Sequence, residues 1–321
     1  MTTTTVDAFE EAAAEISKEK PVSQWQIAWH RLRRHKLAMI GLVAFVVIVL
    51  MSLSASFIAP YDYEEINLDL AYAPIMSPSV VEGQPVHFLG TDRLGRDIFS
   101  RLLYAGRISL TVALVVTVGT ILVGSILGAV SGAFGGGTDT VIMRFTDLML
   151  TLPTLPLLLI LSSSLRQFGQ LQAFLGSSLS VVIIIFVLVI FGWMGNARLV
   201  RGQVLSLRGQ EFVEASRALG SSQSRVIFHH LLPNSMAPII VAATLGFGAV
   251  IIAESALSFL GFGVMPPVPT WGNMLNEARQ SPLEYLFVQA LSPGLMIFIV
   301  VLSINFIGDG LRDALDPRLS I

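Results

Sequence analysis

Residue types that commonly carry chemistry are scarce in this chain, and their spacing argues against catalysis. Cysteine is absent, which removes disulfides, thiolate metal sites and a cysteine nucleophile. Lysine occurs three times, as Lys18, Lys20 and Lys36. A phosphate-binding loop needs a lysine closing its Gly-rich turn, and no G-K-S or G-K-T triplet is present. The chain is therefore not expected to hydrolyse ATP, so any energy it uses must come from an ion gradient or another polypeptide. Serines are plentiful, but no G-x-S-x-G run occurs, which argues against an intramembrane hydrolase. His229 and His230 are adjacent, so they point to different sides of a helix, and no third ligand is near in sequence. No metal site is expected, and no cofactor of the chain's own.

The remaining charged groups read as positioning or docking elements. Glu254 is the one charge within its long apolar run, and an ionisable residue at membrane depth is a functional hypothesis by default. It lies six residues before Leu260, roughly 9 Å from the end of the run. Proton coupling and a structural role at a subunit interface both stand as readings. Arg144 and Asp147, three apart, are expected to pair with each other. Thr91 or Asp92 can cap a helix in which Leu94, Ile98 and Leu102 form a stripe and Asp97 precedes Arg101 by four residues. This segment reads either as an amphipathic helix on the outer membrane surface or as a contact, through Asp92, Arg96 and Asp97, for a partner arriving from outside. In the run Gln210–Asn234, Phe212, Ala215 and Leu219 share a helical face and Gly220 is a C-terminal stop. Ser221 or Ser222 can cap a second short helix that Pro233 ends. Its small residues Ala215, Ser216 and Ala218 permit close helix approach, which suits a dock rather than a catalytic element.

The elements that hold these groups are membrane helices. Of 321 residues, 53% are hydrophobic and only 13% charged, with a net charge of −2. A soluble domain carries about 25% charged residues, so an ordinary cytosolic enzyme is excluded, and a nucleic-acid binder needs a basic face. A helix crossing the bilayer needs about 20 apolar residues. Six runs qualify: Leu37–Ala59, Ile108–Phe134, Leu148–Leu165 (beginning as early as Thr140), Leu171–Ala197, Ser235–Leu260 and Tyr285–Gly308. Pro153 and Pro156 interrupt the third. With the N-terminus in the cytoplasm, 14 Lys and Arg fall on inner segments and 6 on outer ones, as the positive-inside rule requires. The predicted fold is all-α and polytopic, with six transmembrane helices and both termini inside.

Expected boundaries follow: a cytoplasmic tail over 1–36, a first span over 37–59, an outer loop over 60–106, a five-helix core over 107–309 and a C-terminal tail over 310–321. The inner loop is 198–234. Residues 1–24 are polar with no repeated apolar face, which suits a mobile tail or frayed helix. Over 25–36, Trp25, Ile27, Trp29 and Leu32 among Arg and His suit a helix on the inner membrane surface or a partner dock.

Several motifs, in order, carry a resemblance. Glu214-Ala215-Ser216-x-x-x-Gly220 with Leu232-Pro233 downstream resembles the EAA signature of permease subunits of bacterial ABC importers, with Ser in place of the third small residue. The others are Gly90-Thr91-Asp92-x-x-Gly95-Arg96-Asp97; Phe134-Gly135-Gly136 followed by Asp139, Arg144 and Asp147; Glu254 to Gly263 leading to Pro266-Pro267 and Trp271-Gly272-Asn273; and Gly308 to Arg318. From about residue 25 onward the chain resembles the C-type permease of dipeptide and oligopeptide importers. The resemblance implies a type I importer fold in the bacterial inner membrane. It implies a homologous B-type permease, two ATPase subunits that bind ATP and Mg, and an extracytoplasmic substrate-binding protein. It implies that Glu214, Ala215, Ser216, Arg217, Leu219 and Gly220 belong to an ATPase-coupling loop. No charge lies mid-span, so selectivity is expected mainly in the binding protein. The rival is a gradient-driven transporter or channel, which usually carries midplane ionisable residues or paired broken helices; here only Glu254 qualifies. Permeases of similar pattern carry glutathione, peptide-like antibiotics and nickel chelates as well as peptides.

Overall fold

The computed structural model describes residues 24–79, 83, 85–166 and 178–316. The expected tail over residues 1–24 falls almost wholly outside them, as do residues 171–177 of the fourth run and 317–321. Every named element among the described residues is helical. The helices used below are α1 (Gln24–Arg34), α2 (Lys36–Leu53), α3 (Ile98–Phe134), α4 (Gly136–Thr151), α5 (Thr154–Arg166), α6 (Leu179–Gly192), α7 (Met194–Leu207), α8 (Glu211–Ala218), α9 (Met236–Phe259), α10 (Trp271–Ala278) and α11 (Leu283–Leu315). Residues 223–234 form a further helix with a π-wound middle, Val226–Leu231.

Five spans are long and apolar enough to cross a membrane: α2, α3, the continuous Leu179–Leu207, α9 and α11. A sixth is counted if α4 and α5 form one crossing, because they meet at 88°. The break falls at Leu152–Pro153, where proline has no N–H to continue the ladder and disfavours a helical residue before it. Within the described residues the fourth span continues through Trp193 to Leu207, well beyond Ala197. The last helix likewise runs to Leu315, past the boundary expected at 309.

One end of the bundle is built from the 60–97 connection, α10 and the starts of α3 and α11. Here Ile98, Leu102, Trp271 and Met274 join Ile48, Val300 and Ile304 in one core. At the opposite end, Ala129, Ala133, Val200 and Val204 pack with Val213, Val226, Ile227 and Leu231. Along α3, Gly124, Gly128 and Gly132 recur every fourth residue and let α7 approach backbone to backbone. A Cβ on Gly128 would stand 2.3 Å from the Ala197 carbonyl oxygen, and one on Gly124 would stand 2.6 Å from Asn196 Cβ. In a medium where lipid is as apolar as leucine, close packing through small residues is a main source of helix association.

The amphipathic α1 settles on its own chain. Ala28 and Leu32 are buried with Ala314, against Leu311 and Leu315 of α11. The Arg31 guanidinium donates to the Asp316 carbonyl at 3.2 Å, and His35 lies 3.8 Å from Asp313. Both ends of the described chain thus meet at the end bearing α8. Leu37, Ile40, Val43, Val47 and Leu50 form an exposed apolar stripe along α2, the surface a lipid-facing helix presents.

Candidate functional site

At the α8 end, a helix–turn–helix projects from a fixed base. Val213 and Ser216 face inward, 0% and 9% exposed. The Ser216 hydroxyl donates to Ser221 Oγ at 2.9 Å, and the Ser216 carbonyl accepts from the Ser221 N–H at 3.1 Å. Gly220 stops α8 at φ +81°, a left-handed conformation that costs a side-chain-bearing residue about 1–2 kcal/mol. Ser222 Oγ accepts from the Arg225 N–H, capping the second helix as expected. Gln223 Nε2 donates to the Ala133 carbonyl at 3.1 Å, tying this helix to the end of α3.

The face shared by Phe212, Ala215 and Leu219 is the outward one: Phe212 is 41% and Leu219 88% exposed, and Glu214, Ala215 and Arg217 are exposed beside them. Ser216, read from sequence as part of the small-residue surface, is buried instead. Its hydroxyl closes the turn. Among the described residues no three His, Cys, Asp or Glu side chains converge as metal ligands.

At the other end the structure places Asp92, Arg96 and Asp97 inside the protein, 5%, 5% and 2% exposed, rather than on an outward face. Asp92 does not cap a helix. Its Oδ1 accepts the backbone N–H groups of Leu94 and Arg96 at 2.8 and 3.0 Å, closing a tight loop. Its Oδ2 accepts from Arg96 Nε at 2.7 Å and from Arg101 Nη1 at 2.5 Å. Both arginines also reach Glu277 of α10, at 2.8 and 2.6 Å. Two cations and two anions therefore close a buried, neutral cluster that ties the 60–97 connection to α10 and α3. Burial of charge is tolerable only with such pairing.

Asp97 is the cap of α3, accepting from the Ser100 N–H at 2.7 Å, so the helix starts at Ile98 and no separate surface helix forms. Its other oxygen lies 2.9 Å from His87 Nδ1, and Tyr61 stacks on that imidazole at 4.3 Å. Arg101 thus pairs with Asp92 and Glu277, not with Asp97. Glu277 was not found from sequence, because its partners lie more than 170 residues away.

Glu254 is fully buried. Its carboxylate accepts from Ser258 at 2.7 Å and from Ser109 at 3.2 Å, with Ser255 at 3.5 Å. Ser109 Oγ in turn accepts from the Trp271 N–H at 3.3 Å, and Ser258 Oγ from the Val264 N–H at 3.1 Å. One carboxylate thus joins α3, α9 and the start of α10. Asp147 pairs with Arg198 at 2.5 Å, not with Arg144. Asp139 takes both Nε and Nη2 of Arg201 at 2.5 and 2.6 Å, a bidentate pair between α4 and α7.

The arrangement is a helical membrane body with a rigid cap at one end and an outward-facing helical knob at the other. Known proteins are similar to this chain in sequence over almost their whole length. The chain is 41% identical over 305 residues to the dipeptide transport system permease protein DppC of Alkalihalophilus pseudofirmus, covering 93% of this chain and 91% of that protein. It is 40% identical over 317 residues, 97% of each, to the oligopeptide transport system permease protein OppC of Bacillus subtilis. It is 35% identical over 315 residues, 96% of each, to the glutathione transport system permease protein GsiD of Pectobacterium atrosepticum. Residues 23–74 match the family described as the N-terminal TM domain of oligopeptide transport permease C. Residues 121–321 match a second family model, and the chain belongs to that family, the binding-protein-dependent transport system inner membrane components.

Proposed function

We propose that this chain is one of two permease subunits of an ATP-driven, binding-protein-dependent peptide importer. It contributes half of the translocation pore and catalyses no reaction itself. The supporting observation is the knob at residues 211–220. It presents Glu214, Ala215, Arg217 and Leu219 outward from a base fixed to α3, as a coupling element needs. Relatives at 40% identity carry dipeptide and oligopeptide transport in their names, and one names glutathione.

In this reading six spans cross the bacterial inner membrane with both termini cytoplasmic. Two ATPase subunits bind ATP and Mg and engage the 198–234 loop. A homologous permease completes the pore, and a binding protein delivers substrate to the opposite end. Nucleotide binds the two conformations with different affinity, and that difference drives alternating access. Since Asp92, Arg96 and Asp97 are internal, their role is to hold the outer cap in shape, and the binding protein meets other residues.

The test is a mild-detergent pulldown of the tagged chain with ATPase activity assayed on the eluate. Co-purification of a second permease and two ATPases, with activity lost in Glu214→Lys, is the expected result. A chain that moves solute in liposomes without ATP overturns the reading in favour of a gradient-driven carrier.

A further inference from the structure

The elbow between α1 and α2 presents cations that no carboxylate among the described residues neutralises. α1 is held by one face. Ala28 and Leu32 are buried with Ala314, against Leu311 and Leu315 of α11, and the Arg31 guanidinium is taken by the Asp316 carbonyl. A Cβ on Gly310 of α11 would stand 2.4 Å from Ala38 Cβ and 3.0 Å from Leu32 Cδ1, so α11 touches both sides of the elbow. The elbow itself is His35. Its extended backbone ends α1, and its Nδ1 accepts the Ala38 N–H at 3.1 Å to start α2.

The other face is left open. Trp29, Arg33, Arg34 and Lys36 are exposed. Arg33, Arg34 and Lys36 form no ion pair among the described residues. Arg33 lies over the Trp29 ring, 5.1 Å from its centroid.

The depth of these groups follows from α2. Its exposed apolar stripe, Leu37, Ile40, Val43, Val47 and Leu50, starts one residue after Lys36, about 1.5 Å along the helix axis. Cations cannot follow that stripe into hydrocarbon, so the elbow sits where headgroups are. Tryptophan settles at the same level. Basic clusters immediately outside a span attract anionic lipid. Because α11 already fixes α1, little ordering remains to be done on binding. Three unpaired cations beside an apolar stripe complement a molecule that joins an anionic phosphate to acyl chains, whereas free phosphate has no use for the stripe.

We propose that the α1–α2 elbow binds the headgroup of an anionic phospholipid, with Arg33, Arg34 and Lys36 on the phosphate and the acyl chains along the Leu37–Leu50 stripe. This rests on the inner-membrane reading and adds a lipid partner to it.

The chain has no cysteine, so His30→Cys, at an exposed position of α1, carries a single environment-sensitive fluorophore. The full chain in neutral detergent is titrated with dihexanoyl phosphatidylglycerol, dihexanoyl phosphatidylcholine and inorganic phosphate. Half-saturation by the glycerol lipid is expected at a concentration at least about ten-fold below that for the choline lipid, with phosphate silent over the same range. Arg33→Gln, Arg34→Gln and Lys36→Gln are each expected to weaken binding of the glycerol lipid about five-fold. Lys36→Arg, which keeps the charge, is expected to bind as wild type. Equal half-saturation by the two lipids, or wild-type binding in all three glutamine variants, overturns the site and leaves a merely solvated face. An equal response to phosphate overturns it too, making this a free-anion site. In the assembled importer, protection of the thiol from maleimide that disappears when the ATPase subunits are stripped away also overturns it, making the face a protein dock. Labelling of the thiol from outside intact cells by an impermeant maleimide would instead overturn the proposed topology, while the lipid preference in detergent still decides the site.

Discussion

Glu254 shows how much a single buried group organises. Each hydroxyl around it accepts a backbone N–H or lies beside one that does, and directs its proton at the carboxylate. Replacing it with alanine leaves the Ser109 and Ser258 hydroxyls without an acceptor in a dry site, at about 1–3 kcal/mol for each unsatisfied group. Glu254→Ala is therefore expected to lower the thermal midpoint of the purified complex by several degrees, whereas Glu254→Gln, which keeps one acceptor oxygen, loses about half as much. Equal midpoints for both variants and wild type, by differential scanning fluorimetry in detergent, would show that the hydroxyls are satisfied without it. The sequence marked Glu254 as unusual because it is charged in an apolar run. Ser258, four residues on along α9, is a local partner, but the sequence did not show that Ser109 is another, since that pairing exists only once α3 and α9 pack.

Among the elements, α3 depends on its glycine seam and on its buried cap. Gly128→Leu places a side chain where Ala197 O stands 2.3 Å from the first carbon. The backbones of α3 and α7 must separate, and overpacking costs about 1–3 kcal/mol or more. Gly137→Leu, where nothing lies within 4 Å, is the control expected to behave as wild type. Limited proteolysis of membrane-inserted protein distinguishes them, and equal resistance of the two would refute the close α3–α7 contact.

The charge cluster gives a second test. Arg101→Ala leaves Asp92 and Glu277 sharing Arg96 alone, an excess negative charge in a buried site, and removing one partner of such a group costs about 3–5 kcal/mol. The double variant R101A/E277A removes a charge of each sign and is expected to recover most of the loss in the same thermal assay. Failure of the double variant to recover would place the stabilising contacts of Arg101 elsewhere. The helix starts and stops at Asp97, Gly135, Gly220 and Ser222 act locally, and two of the four, the Gly220 stop and the Ser222 cap, were readable from sequence. The cap of α3 was misplaced at Thr91 or Asp92 because a competing loop takes Asp92, and only the fold shows that.

For the whole molecule, the arrangement of ends carries the functional reading. Phe88, 44% exposed, belongs to the cap, and Leu219, 88% exposed, to the knob at the opposite end. The chain has no cysteine, so single cysteines report cleanly. Phe88→Cys is expected to react with a membrane-impermeant maleimide from outside, and Leu219→Cys only after the membrane is opened. Labelling of both from the same side would refute the proposed topology. The meeting of α1 with the end of α11 places both ends of the described chain on the knob side, where an ATPase would sit in the proposed importer.

The sequence by itself determined the class of molecule. Long uncharged runs have one stable environment, a bilayer. It also determined the knob, because a glycine stop, a serine cap and a proline act within a few residues of themselves. The tertiary structure alone decided which face of the knob points out and which charges pair. It set Glu277 beside Arg96 and Arg101, Arg198 beside Asp147, and α1 against α11. Those choices depend on distant segments meeting, and in a chain this apolar the hydrophobic pattern is too uniform to say which faces will meet. Small residues, hydrogen bonds and buried charges make that selection, and they act only at contact distance.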